Sequence, residues 1–188
     1  MKLIFCFLSL LFFMGQCRKE APVEPVPANP KDTLIPVKYG LTALKDGLQW
    51  EASATATYYQ SGIGKHLRLV FLRKINNDIT ERLHIEDIAS SAGTYPIERV
   101  TKASQIKNFI PNSFFSIYLD EEQPVGHFFP DTTRRDHFIQ IIQFDSVAQT
   151  VRGRFQVFMG IVAFDPLWTN HPDSVLFTKG EFFVKIQQ

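Results

Sequence analysis

Cys17 is the residue whose type and place in the chain point most directly to a reaction. Lys2 opens a short cationic start, Leu3 to Met14 form an apolar run broken only by Ser9, and Gly15-Gln16 lead into the cysteine. A thiol in that position is the acceptor in lipoprotein maturation: diacylglycerol is joined to its sulfur, and the chain is cut immediately before it. A bilayer-crossing helix needs about 20 apolar residues; this run is shorter and fits the h-region of a signal peptide. The residue ahead of the cysteine is usually small and is here Gln16. Residues 1–16 are thus expected to be removed, taking Cys6 with them and leaving 172 of 188 residues (188 − 16). The remaining thiol then carries lipid, so no disulfide, catalytic thiol or cysteine-based zinc site is expected.

Elsewhere the chemistry-bearing residues do not fall into catalytic spacings. The histidines are His66, His84, His127, His137 and His171. None pairs with another as H-x-x-x-H or H-x-H, the spacings that put two imidazoles on one metal. His84 falls on the polar face of its run, where a solvated ring is expected. There is no G-x-S-x-G elbow and no H-E-x-x-H. Asp120-Glu121-Glu122 lack the oxygen spacing and glycine turn of a calcium loop. The expectation is of no cofactor, no metal site and no enzyme. A ligand surface, if present, is assigned to Trp168, Tyr59 and His171. Trp168 and His171 lie in Gly160 to Ser174, a long connection between the last two strands, and long connections more often carry function. An exposed indole can stack on a sugar face or anchor a protein partner; the alternative is that it folds back to cap the end of the domain. Of Tyr58 and Tyr59, one should face the core and the other water. A second long connection, Asp120 to Asp136, contains His127 and Arg134-Arg135 and reads as a charged, solvated loop.

The elements that would position these residues are strands on a stalk. Residues 17–36 read as a tether, because Pro22, Pro25, Pro27, Pro30 and Pro36 favour extended polyproline II over helix or sheet. At about 3.1 Å per residue the stretch from Glu20 to Pro36 spans roughly 50 Å. Residues 37–188 form one domain. In Leu48 to Tyr59 the positions Leu48, Trp50, Ala52, Ala54, Ala56 and Tyr58 alternate with polar ones, the period of a half-buried strand. Similar alternation runs through Arg82 to Asp87, Val151 to Met159 and Glu181 to Gln187, with Phe183 as an exception. Leu67 to Arg73, Phe114 to Leu119 and His137 to Asp145 are apolar on both faces. Helical periodicity is weak and confined to Val100 to Phe109. The pattern predicts an all-β fold: an antiparallel β-sandwich, or a barrel-like form of it, with seven or eight main strands and little helix.

Several short pieces recur in a distinctive order: Gly47-Leu48-Gln49-Trp50-Glu51-Ala52, then Gly93-Thr94-Tyr95-Pro96-Ile97. After an Ile/Phe strand ending in Asp145 come Val151-Arg152-Gly153-Arg154-Phe155 and Lys179-Gly180-Glu181-Phe182. In this order, from about Gly47 to Ile186, the chain resembles uncharacterised β-sandwich lipoproteins of Bacteroidetes. The resemblance implies a β fold and an envelope location, and it brings no catalytic residues. The residues themselves read as packing devices, since glycine beside a packed aromatic lets a neighbour approach closely.

With 20 Lys and Arg against 19 Asp and Glu the chain is nearly neutral, so it lacks the basic footprint of nucleic-acid binding. The expectation is a bacterial cell-envelope lipoprotein, anchored to the outer membrane through its N-terminal lipid, whose domain binds a glycan or another envelope protein. A glycan-active enzyme and a purely structural part of an envelope assembly are the alternatives.

Overall fold

The computed structural model describes residues 39–187, apart from 62–63, 77, 100–109, 120–122, 167 and 169–170. The signal segment, Cys17, the tether and the Val100 to Phe109 stretch lie outside the described residues.

The fold is all-β, and no helix occurs among the described residues. The finer architecture differs from the expectation: the described residues form ten strands, not seven or eight, in one mixed sheet instead of the two sheets of a sandwich. β1 (Gly40–Lys45) and β2 (Leu48–Ser61) make a hairpin, followed by β3 (Gly64–Lys74) and β4 (Ile79–Ala89). The short β5 (Gly93–Pro96) precedes β6 (Asn112–Leu119) and β7 (Gln123–Pro130). β8 (Phe138–Asp145) leads to two long strands, β9 (Thr150–Phe164) and β10 (Ser174–Gln187).

The sheet closes on itself. Ladders run β2–β3–β4–β6–β7–β9–β10, and β10 returns to β2 through the parallel pairs Ile186–Ala56 and Gln187–Thr57. β1 fills the rest of that seam, antiparallel to both β2 and β10. Closure removes the unpaired edges that make open sheets sticky. The length of β9 is what reconciles the unequal strands. One edge pairs with β10 from Thr150 to Gly160. The other edge is shared, Thr150 to Gln156 with β8 and Met159 to Phe164 with β7. β5 pairs with β8, and a bridge from Glu98 to Asn112 brings the chain back to β6. The ring therefore has two ends. The Asp46 end carries the β1–β2, β3–β4, β6–β7 and β9–β10 connections, and the Val147 end carries the β8–β9 turn.

Alternate side chains fill the interior. Trp50, Phe71, Phe115, Phe128, Phe155 and Phe177 are at most 1 % exposed. Phe177 meets Trp50 and Phe115 edge-on at centroid distances of 5.0 and 5.2 Å, the geometry that the ring quadrupole favours. The two G-x-F motifs interlock across β9 and β10: Gly153 is the cross-strand partner of Phe182, and Gly180 of Phe155. A Cβ on Gly153 would stand 2.5 Å from Phe182 Cζ and 2.2 Å from the Gln140 carbonyl oxygen, and one on Gly180 2.6 Å from Phe155 Cε1. Each ring thus occupies the space that the other strand's glycine leaves.

Three strands escape the sequence pattern: β1, β7 and the short β5. Gln123–Pro130, expected to lie within a solvated loop, is β7, with Val125 and Phe128 in the core. β1 is set by the turn Asp46-Gly47, both residues at positive φ (52° and 81°), the combination that a tight two-residue hairpin requires. The Phe183 exception is also explained: a register shift between Phe177 and Gly180 reaches a residue at positive φ, Lys179, and Phe183 points outward beneath a stacked Tyr39 ring at 4.7 Å.

Candidate functional site

Trp168 and His171 come together in the 165–173 connection at the Asp46 end. The turn is fixed by backbone bonds: Asp165 donates its amide to the Val125 carbonyl, and Trp168 donates its own to Asp165, both at 2.9 Å. The indole is thereby laid across β7. It packs half-buried against the core, and a Cβ on Gly126 would lie 2.6 Å from its Cζ3. Glycine is needed there for this close approach. The indole is thus a cap on the end of the domain more than a free platform. His171 lies between Trp168 and Phe164, with centroid distances of 5.6 and 4.3 Å. Phe164, which sequence reasoning passed over, is 51 % exposed and forms the outer face of this aromatic cluster.

The same end carries further exposed apolar side chains. Eight large hydrophobic side chains stand exposed among the described residues. Five of them, Leu48, Ile75, Leu119, Val162 and Phe164, lie at the Asp46 end; Ile142 and Val147 lie on the β8–β9 hairpin, and Tyr39 stacks on Phe183. Ile79 and Leu119 are cross-strand partners, and Ile75 donates its amide to the Ile79 carbonyl, so part of the rim is continuous.

Tyr59 sits toward the opposite end and joins a different group. Tyr58 packs on the core while Tyr59 faces outward, the division that alternation requires. The Tyr59 hydroxyl bonds the Asp87 carboxylate and accepts the Asp87 amide at 3.1 Å, and Asn112 Nδ2 donates to Asp87 Oδ2 at 2.7 Å. Asp87 has a positive φ of 60° and marks an irregularity in β4. These bonds tie β2, β4 and β6 together where the ladder changes partners. Burial pushes the Asp87 carboxyl above its ordinary range, opposed by the Asn112 bond.

His84 corrects the expectation of a solvated ring. It is on the outer face, yet only 17 % exposed, and it stacks on Phe114 at 4.2 Å and 13°. Burial, together with Arg68 and then Arg82, holds its pKa down to about 4. The Arg68 guanidinium meanwhile lies 5.0 Å from the Tyr59 ring centroid and forms an ion pair with Glu86 at 2.8 Å.

A buried carboxylate went unnoticed in the sequence. Glu81, 2 % exposed, points into the ring near the Asp46 end. It accepts the Trp50 indole N–H at 2.6 Å and pairs with the Lys45 ammonium, with Arg73 Nη1 at 3.8 Å. Such a charge is tolerable inside only when paired and hydrogen-bonded. His137 is likewise structural. Its Nδ1 accepts the Phe158 amide at 3.2 Å and its Nε2 donates to the Asp131 carbonyl at 2.9 Å, clamping the 131–137 loop. In that loop Arg134 donates twice to Asp136, holding its carboxyl down to about 2.

An open cleft of about 540 Å³ lies beside the start of β1, with Tyr39, Glu51, Ser53, Arg73 and Lys74 among its walls. Among the described residues no three His, Asp or Glu side chains are grouped to hold a metal. No protein-family model, curated protein or solved structure matches the chain.

Proposed function

We propose that this chain is a bacterial cell-envelope lipoprotein, anchored to the outer membrane by lipid on Cys17, whose closed β domain is a non-enzymatic binding or interaction module. Three features of the sequence support the envelope assignment: the charge–apolar–cysteine layout of residues 1–17, the proline-rich spacer, and the resemblance to Bacteroidetes lipoproteins. The observation that carries the module is the concentration of exposed apolar side chains at the Asp46 end, the end that also holds the Phe164–His171–Trp168 cluster. Soluble domains rarely gather exposed apolar surface without a partner for it.

Metabolic labelling with palmitate tests the anchor: label should enter the wild-type chain and be absent from Cys17→Ala, and equal labelling would refute it. For the module, the purified full-length protein is tested by glycan array and by cross-linking in cells. Binding of a glycan, lost in Trp168→Ala, or capture of a protein at the rim fits the reading. Turnover of a polysaccharide that disappears on mutating one carboxylate would replace it with an enzyme.

A further inference from the structure

We infer that the Asp46 end docks a protein segment that is both cationic and apolar, an inference that rests on the module reading and gives it a partner class. The apolar part of the argument is the rim itself. Leu48 is 75 % exposed, Phe164 51 %, Ile75 and Val162 49 %, and Leu119 37 %. Exposed side chains of this size around one end of a ring give it an apolar rim, and gathered exposed apolar surface marks protein-interaction sites.

Charge selects among the possible occupants. Asp46, Asp78 and Asp173 stand exposed in the turns that frame this end, and Lys74 stands exposed beside them. Two further cations, Lys45 and Arg73, share the single carboxylate of Glu81 and so leave one net positive charge near the rim. The exposed carboxylates therefore outnumber the outward-facing cations. An anionic bilayer or a phosphorylated glycan would meet repulsion there, whereas Lys or Arg side chains flanking an apolar stretch would find both halves of their chemistry matched. A neutral sugar would use the aromatic cluster and leave the carboxylates idle. Val147, 94 % exposed on the β8–β9 turn, supplies an internal control from the other end.

The test is site-specific photocross-linking in intact cells. A photoreactive residue replaces Ile75 or Phe164 in the full-length protein, and Val147 in the control, and cross-linked peptides are sequenced by mass spectrometry. The expected result is an adduct from Ile75 and Phe164 but not Val147, in a partner peptide that combines apolar residues with Lys or Arg. Asp78→Lys and Asp173→Lys, both on exposed turns, should each lower adduct yield about tenfold, and Val147→Lys should not. Adducts to a second copy of this chain, to lipid, or to an acidic peptide would overturn the inference. So would equal yields at both ends, indifference to charge reversal, or no adduct at all. The module reading falls separately: it survives a glycan or another protein captured elsewhere on the domain, and fails if neither the array nor any cross-linking position yields a partner.

Discussion

At His84 a single ring carries a pH dependence. The unfolded imidazole titrates near its ordinary value of 6.5, while the folded one, stacked on Phe114 beside two arginines, titrates at about 4. The folded state resists the proton that the unfolded state accepts. Stability is therefore full above pH 6.5, is lost progressively as pH falls toward 4, and falls no further from this source below that. At full strength such a shift is worth about 3 kcal/mol, and solvent around the part-exposed ring, with Glu86 3.9 Å from its Nδ1, reduces that. Urea midpoints at pH 7.5 and 4 should differ accordingly, and His84→Gln should flatten that part of the profile; an unchanged profile would mean that this histidine is not the source. The glycines at the motif interlock give a second residue-scale expectation. Gly153→Ala places a methyl against the Gln140 carbonyl oxygen, backbone that cannot swing aside, and should cost about 1–3 kcal/mol or more in chemical denaturation. Gly180→Ala meets ring atoms only and should cost less. The packing role of these glycines was legible in sequence from the repeated G-x-F spacing. Glu81 was not, because its partners Lys45 and Trp50 are 36 and 31 residues away and nothing local distinguishes an inward carboxylate from an outward one.

Among the elements, long alternating runs declared themselves and short or proline-flanked ones did not. β2, β9 and β10 were readable because their inward residues repeat every second position. β7 is bounded by Pro124 and Pro130 and interrupted by Gly126, residues that normally signal a loop. Its strand character comes from pairing with β6 and β9, and local sequence does not encode that. Bulges add a further loss: each inserts a residue and reverses which parity faces inward, as near Lys179, where Phe177 and Phe182 both point to the core. The β1–β2 hairpin offers the element-scale test. Gly47 has φ +81°, and nothing crowds a Cβ there, so Gly47→Ala measures conformational strain alone. It should lower stability by about 1 kcal/mol, whereas Gly47→Asn, which tolerates left-handed backbone, should lose less.

For the molecule as a whole, the sequence conveyed the class but not the closure. Alternation says which residues face inward and is silent about which strand lies next to which, so a sandwich and a ring share one pattern. The choice is made by β10, which pairs with β1, β2 and β9 at once. Removing residues 174–188 should therefore do more than shorten the protein: β1, β2 and β9 lose their shared neighbour, and light scattering should show aggregation where the full chain stays dispersed. A truncated chain that stayed monomeric with a cooperative unfolding transition would contradict this. The same arrangement sets a timetable for the newborn polypeptide. A ribosome delivers Leu41 long before its ladder partner Phe182, so the first hairpin leaves the exit tunnel with nothing to lean on. During that interval its open border is a site where an attendant chaperone, or a neighbouring nascent copy, could bind first.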